Sequence, residues 1–144
     1  MSIKLKLEGF DDLLKQIESA GGTIDKAVET CLKKSADIMH DELKNQMQKS
    51  NVDSDLINRM PAPEIEKNGN RYTARVGYKK GAYNAADSSD GYKVVFANFG
   101  TPRRSKHGKQ PAKGFIKKAK SKASKPIKTE QENTLNEILR GLQG

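Results

Sequence analysis

Eleven Lys and Arg residues fall between Arg103 and Lys128 with no Asp or Glu among them: Arg103, Arg104, Lys106, Lys109, Lys113, Lys117, Lys118, Lys120, Lys122, Lys125 and Lys128. The whole chain carries a formal charge of +9, so everything outside this segment sums to −2. The chemistry open to such a run is capture of an anion, either the phosphates of a nucleic acid or an acidic protein surface. The plain alternative is a solvated basic helix face beside a loop. Phosphate contact would need only positive charge and mobility, and would depend steeply on salt. Contact with an acidic protein surface is equally allowed. Phe115 is the only aromatic residue interleaved with these cations, so a stacking platform for single strands is not expected.

Catalytic chemistry finds little support. His40 and His107 have no partner at metal-ligand spacing, and no Cys/His cluster suggests zinc. Gly108-Lys109 lacks the upstream Gly and the following Ser or Thr of a phosphate-cradling loop. Asp11-Asp12 and Asp41-Glu42 are sequence neighbours, and on a helix such neighbours point about 100° apart, so they do not converge. No metal or cofactor is implied, and the chain does not read as an enzyme. A small nuclease is the remote catalytic alternative.

Size and composition set the frame for these residues. A length of 144 residues suggests one domain, residues 1–144. Only 34% of the residues are hydrophobic, Trp is absent and the mean hydropathy is −0.82, so a small core is expected. The single Cys31 rules out an intramolecular disulfide and fits a reducing compartment. It falls on an apolar helical stripe, where a buried inert thiol is expected. No apolar run approaches the roughly 18 residues that span a bilayer, so no membrane contact is expected. Lys alternates with apolar residues at the start, unlike a signal peptide.

The elements that must position the basic segment follow from periodicity. Ile3, Leu5 and Leu7 alternate with charged residues, as in a half-buried strand. Phe10, Leu13, Leu14, Ile17 and Ala20 recur at helical spacing, and Gly21-Gly22 supplies a stop. Thr23 is placed to cap the next helix, whose stripe of Ile24, Val28, Cys31, Leu32, Ser35, Met39, Leu43 and Met47 runs to about Gln48. One helical turn is expected around Leu56 to Met60. Ile65 opens a strand, Asn68-Gly69 marks a hairpin, and Tyr72, Ala74, Val76 and Tyr78 share one face of the returning strand. Residues 79–92 read as a mobile connection, 93–99 as a strand, and 101–110 as a mobile basic loop. From Lys113 a helix carries Phe115, Ile116, Ala119 and Ala123 on one side. Pro126 marks a break or the first turn of a final helix. Thr129 and Glu132 match a capping box, and Leu135, Ile138, Leu139 and Leu142 form the last stripe. The order predicts an α+β fold: N-terminal helices packed on a small, mostly antiparallel sheet, with a C-terminal helix.

Two further stretches carry a resemblance. Val94-Val95-Phe96-Ala97-Asn98-Phe99-Gly100-Thr101, a loop, then Gln110-Pro111-Ala112-Lys113-Gly114-Phe115-Ile116-Lys117-Lys118-Ala119 resembles a family of minor structural proteins of tailed phages. These are the head–tail joining, or tail-completion, proteins of the neck. The family pattern is a strand ending Glu-Phe-Gly-Thr, a loop, then Pro-Ala-x-Pro-Phe-x-x-Pro-Ala opening a helix. Asp53-Ser54-Asp55-Leu56 is similar to the family's Asp-Thr-Gly-x-Leu segment. Asn98, Gly114 and Lys118 replace the usual Glu and two prolines, and Asp55 stands where Gly is common.

The resemblance implies a structural virion protein at the head–tail junction, present in host cytoplasm during assembly. Its partners would be connector, head-closure and tail proteins of the same phage, and several copies would form a ring around the DNA channel. Phe99, Gly100, Thr101 and Pro111 would place the loop and Phe115 would anchor the helix. Arg103, Arg104, Lys106, Lys109, Lys113, Lys117 and Lys118 would contact a partner or DNA. A head-to-tail ring needs two different surfaces on each subunit. One arrangement sets Asp11, Asp12 and Glu18 of one copy against the basic helix of the next. The alternative is a stand-alone basic protein that binds nucleic acid.

Overall fold

In the computed structural model, which describes residues 2–69, 71–78 and 114–143, the opening alternation forms strand β1 (Ser2–Leu5). Ile3 is buried and Lys4 exposed, as a half-buried strand requires. Helix α1 (Asp11–Ser19) buries Ile17 and carries Asp11 and Asp12 in its first turn. The Gly pair ends it. Gly21 adopts φ 95°, its N–H donates to the Glu18 carbonyl at 3.0 Å, and the Gly22 N–H donates to Ile17 at 2.9 Å. These two bonds form a Schellman cap, whose left-handed position suits glycine. Gly22 serves packing instead. A Cβ there would lie 2.7 Å from Ile17 Cγ2 and 2.6 Å from Leu142 Cδ1.

Helix α2 (Ile24–Lys49) is the backbone of the fold. Cys31, Leu32, Ser35, Met39, Leu43 and Met47 are buried on the expected stripe, joined by Ala27, Ala36 and Gln46. Thr23 occupies the N-cap position, but its side chain makes no capping bond. Instead its carbonyl accepts from Ala27 N–H at 3.2 Å and closes the first turn. The helix stops at Asn51, whose φ is 56°. Asn51 N–H bonds the Gln48 carbonyl at 3.1 Å and Val52 N–H bonds Met47 at 3.0 Å. This is the same cap as at Gly21, with Asn in the left-handed position, and Val52 and Met47 are both buried beside it.

The expected turn is helix α3 (Ser54–Asn58), two residues earlier than the apolar pattern suggested. Asp53 caps it by accepting from Asp55 N–H at 3.0 Å. Strands β2 (Glu64–Asn68) and β3 (Arg71–Gly77) form the hairpin. Asn68 pairs with Arg71, which places Gly69 (φ 64°) in the two-residue connection. The turn is therefore one residue later than Asn68-Gly69. The sheet order is β1-β3-β2, and both pairings are antiparallel. Ala74, Val76 and Tyr78 are buried on its inner face, while Lys4, Glu64, Glu66 and Arg71 are exposed.

Helix α4 (Phe115–Gln143) is one continuous helix with Pro126 inside it. This corrects the expected break, and with it the capping box: Thr129 is a mid-helix residue and caps nothing. The physical reason lies in the buried stripe. Phe115, Ala119, Ala123, Ile127, Gln131, Leu135 and Leu139 follow one another every four residues across the proline. Pro126 itself faces solvent. An internal proline costs about 3 kcal/mol relative to Ala. Burying Ile127, Leu135 and Leu139 contributes roughly 1.5–3 kcal/mol each, so continuity wins. Of the last predicted stripe, Ile138 is half-buried and Leu142 is 38% exposed.

Packing forms two clusters. The larger joins Ile3, Val76 and Tyr78 of the sheet side to Leu32, Met39 and Leu43 of α2, Leu56 of α3, and Phe115 and Ala123 of α4. The smaller joins Ile17 of α1, Ala27 and Cys31 of α2, and Leu135 and Leu139 of α4. The start of α2 thus meets the end of α4, so the two helices run antiparallel, and theirs is the most extensive packing among the described elements. The architecture is α+β, with helices gathered on one face of an antiparallel sheet. The expected strand at 93–99 and the expected loops at 79–92 and 101–110 lie outside the described residues.

Candidate functional site

The N-terminal half of α4 is the part of the basic segment that can be built from its residues. Phe115 opens the helix and is fully buried. Gly114 precedes it, and its carbonyl accepts from Lys118 N–H at 3.3 Å. Ala119 and Ala123 continue the buried side, and their small side chains let α4 lie close against α2. Ile127 is buried as well, and Ile116 packs partly buried against the same core. Lys117, Lys118, Lys120, Lys122, Lys125 and Lys128 are all exposed, with Ser121 and Ser124 between them. Lys117 to Lys128 covers about 16 Å of helix axis at 1.5 Å per residue.

The electrostatics of this face are one-sided. Phe115 to Thr129 contains no Asp or Glu, and the first turn of α4 holds no acidic residue. None of the six lysines forms an ion pair among the described residues. The Lys and Arg ion pairs among the described residues lie elsewhere: Lys33 with Glu29 at 3.4 Å, Lys34 with Glu130 at 3.8 Å, Lys67 with Asp25 at 3.6 Å and Arg75 with Glu66 at 3.2 Å. Lys117 and Lys118 also sit at the positive end of the helix dipole, where a cation is disfavoured.

Lys117 and Lys118 are thus brought together on one exposed face and Phe115 is their buried anchor. Phe99, Gly100, Thr101, Arg103, Arg104, Lys106, Lys109, Pro111 and Lys113 lie outside the described residues. The Asp53–Leu56 segment has a structural job. Asp53 caps α3, Leu56 is buried, and Tyr78 donates its hydroxyl proton to the Leu56 carbonyl, tying α3 to the end of β3.

Sequence reasoning missed the polar lock between α2 and α4. Gln131 Nε2 donates to Ser35 Oγ at 3.0 Å, and Ser35 Oγ donates to the Cys31 carbonyl at 2.8 Å. Cys31 Sγ points at the Gln131 carbonyl, 3.8 Å away. All three residues are buried. Burial pushes the Cys31 thiol up to about 11, against a smaller opposing pull from Lys34, as an inert thiol requires. The signal was present: Gln131 is four residues from both Ile127 and Leu135. Reading a break at Pro126 hid that spacing.

Among the described residues, no three His, Cys, Asp or Glu side chains are placed to hold a metal. His40 is half-buried, with Nδ1 3.9 Å from Asp41. A shallow groove beside α3 is lined by Gln48, Asn51, Val52, Ser54, Ile57 and Asn58, without an acid or a base. No helix among the described residues is long and apolar enough to cross a membrane.

One family model, described as "Bacteriophage HK97-gp10, putative tail-component", matches residues 11–100. That span holds α1 to β3 and the Val94–Gly100 part of the phage resemblance, and it ends before the basic segment. No curated protein and no solved structure matches the chain. The matched residues are more than half of the 144: the chain belongs to the HK97-gp10-like family of bacteriophage tail components.

Proposed function

We propose that this tail component acts at the head–tail junction, as one subunit of a connector or tail-completion ring around the DNA channel. It joins its neighbours by shape and charge complementarity and performs no bond-making chemistry. The chain acts as one domain. Arg103, Arg104, Lys106 and Lys109 make further anionic contacts, from a loop whose placing falls to Phe99, Gly100, Thr101 and Pro111. The partners are the connector, head-closure and tail proteins of the same particle.

The observation that carries this reading is the lysine face on α4, which forms no ion pair among the described residues. Charge left uncompensated inside a subunit favours a contact outside it. The scaffold beneath is rigid enough to present it, because Phe115 and the Cys31–Ser35–Gln131 lock hold α4 on α2.

The test is assembly. Particles produced with the Lys117→Glu/Lys118→Glu variant should contain fewer joined heads and tails, counted by electron microscopy. Labelled protein should locate at the junction. Fully joined particles with the variant, or a label spread along the tail, would defeat the reading.

A further inference from the structure

The lysine face lies beyond the matched residues 11–100, so family membership does not say what it meets. We propose that its partner is the phosphodiester backbone of duplex nucleic acid, bound without regard to sequence. This rests on the reading above and names the anion.

Three observations separate a phosphate backbone from an acidic protein surface. First, the cations of α4 from Phe115 to Lys128 are all lysine. Lysine is depleted at protein–protein interfaces, whose buried centres favour aromatic residues, Met and Arg. Lysine, unlike the bidentate Arg fork, meets phosphate as a mobile point charge, which suits binding without regard to sequence. Second, the face has no apolar anchor. The exposed residues between its lysines are Ser121, Ser124 and the small Pro126, while Phe115, Ala119, Ala123 and Ile127 are buried in the core. A protein partner, or a lipid surface, would find no large apolar side chain there to bury. Short serines also leave room for a backbone to approach.

Third, the placement carries a local cost. Lys117 and Lys118 stand at the dipole end that repels them. The acidic candidates for a neighbouring copy do the opposite. Asp11 and Asp12 sit in the first turn of α1, where the dipole favours them, so their positions have a sufficient explanation inside the subunit. The lysines do not. A rule broken locally without an internal gain points to an external one.

Geometry sets the size of the effect. At 100° per residue, Lys117, Lys118, Lys125 and Lys128 share the side of α4 facing away from the buried stripe. Four lysines engaging four phosphates give a slope of about −3.6 in log Kobs against log salt. Binding through them then weakens on the order of 100-fold between 50 and 200 mM salt.

The experiment uses the full chain and a fluorescein-labelled 24-base-pair duplex of mixed sequence, with anisotropy measured across that salt range. The variant Lys117→Ala/Lys118→Ala/Lys125→Ala/Lys128→Ala should show a slope shallower by about 3 to 4. The four Lys→Arg changes should keep the wild-type slope. Both variants are compared with wild type by circular dichroism and thermal unfolding, so that lost binding is read on folded protein. An unchanged slope in the alanine variant overturns the proposal. Equal displacement of the duplex by polyglutamate of matched charge also overturns it, and assigns the face to an acidic protein. Failure of the junction reading appears elsewhere, as label away from the head–tail joint whatever the salt slope.

Discussion

Thr129→Ala tests the continuity of α4 by the sign of its effect. In the unbroken helix Thr129 is an exposed mid-helix residue. Alanine there should stabilise the protein by about 0.5 kcal/mol, because threonine loses side-chain freedom in a helix. Had a second helix begun at Thr129, with Glu132 closing a capping box, the same change would remove a cap and cost about 1 kcal/mol. Pro126→Ala enlarges the difference. It restores an N–H that can bond the Lys122 carbonyl, for a gain of about 3 kcal/mol. The loss of proline's restraint on the unfolded chain offsets about 0.4–1 kcal/mol of this. The net expectation is about 2 kcal/mol. For 144 residues the unfolding entropy is about 0.3 kcal/mol/K, so Tm should rise by roughly 6 °C. At the first position of a separate helix, by contrast, proline is favoured and its removal would be neutral or harmful. Thermal unfolding by circular dichroism, with each variant alone and both together, decides the matter. A fall in Tm for either variant would refute the argument that burial of Ile127, Leu135 and Leu139 carries the helix through Pro126.

Other consequences are as direct. Ser35→Ala and Gln131→Ala remove the same buried hydrogen bond, so a double-mutant cycle in urea should show coupling of about 1 kcal/mol; strict additivity would dissolve the lock between α2 and α4. Gly22→Ala should cost about 1–3 kcal/mol by overpacking against Ile17, and a neutral result would mean that the α1 terminus can shift freely. Phe115→Ala should cost about 3–5 kcal/mol and loosen the lysine face, read as faster amide exchange at the start of α4. Cys31 should resist a thiol reagent at pH 8 until the protein unfolds. Its folded pKa of about 11 exceeds its ordinary 9.0, so its share of stability is complete below pH 9 and is lost as pH climbs to about 11. The denaturant midpoint should therefore fall less between pH 8.5 and 10.5 in Cys31→Ala than in wild type.

Much of this protein was legible along the chain. Local periodicity determined β1, α1, α2 and the β2–β3 hairpin, because alternation and the 3.6-residue repeat are written within a few turns of each element. Composition determined where the positive charge is concentrated, since eleven cations without a carboxylate need no fold to be counted. Only the tertiary structure decided three things. It carried α4 through Pro126, because the price of a proline is local and the burial that outweighs it is on α2. It set the cap of α2, whose end the periodicity places within a residue of Lys49, by putting Asn51 in the left-handed region with Val52 closing over Met47. It buried Gln131, whose amide is tolerated there because Ser35 stands across the interface to receive it. Each of these is a competition between a short-range preference and a contact some 30 to 100 residues away, or a cap closed by the core, and no stretch of sequence shows both sides at once.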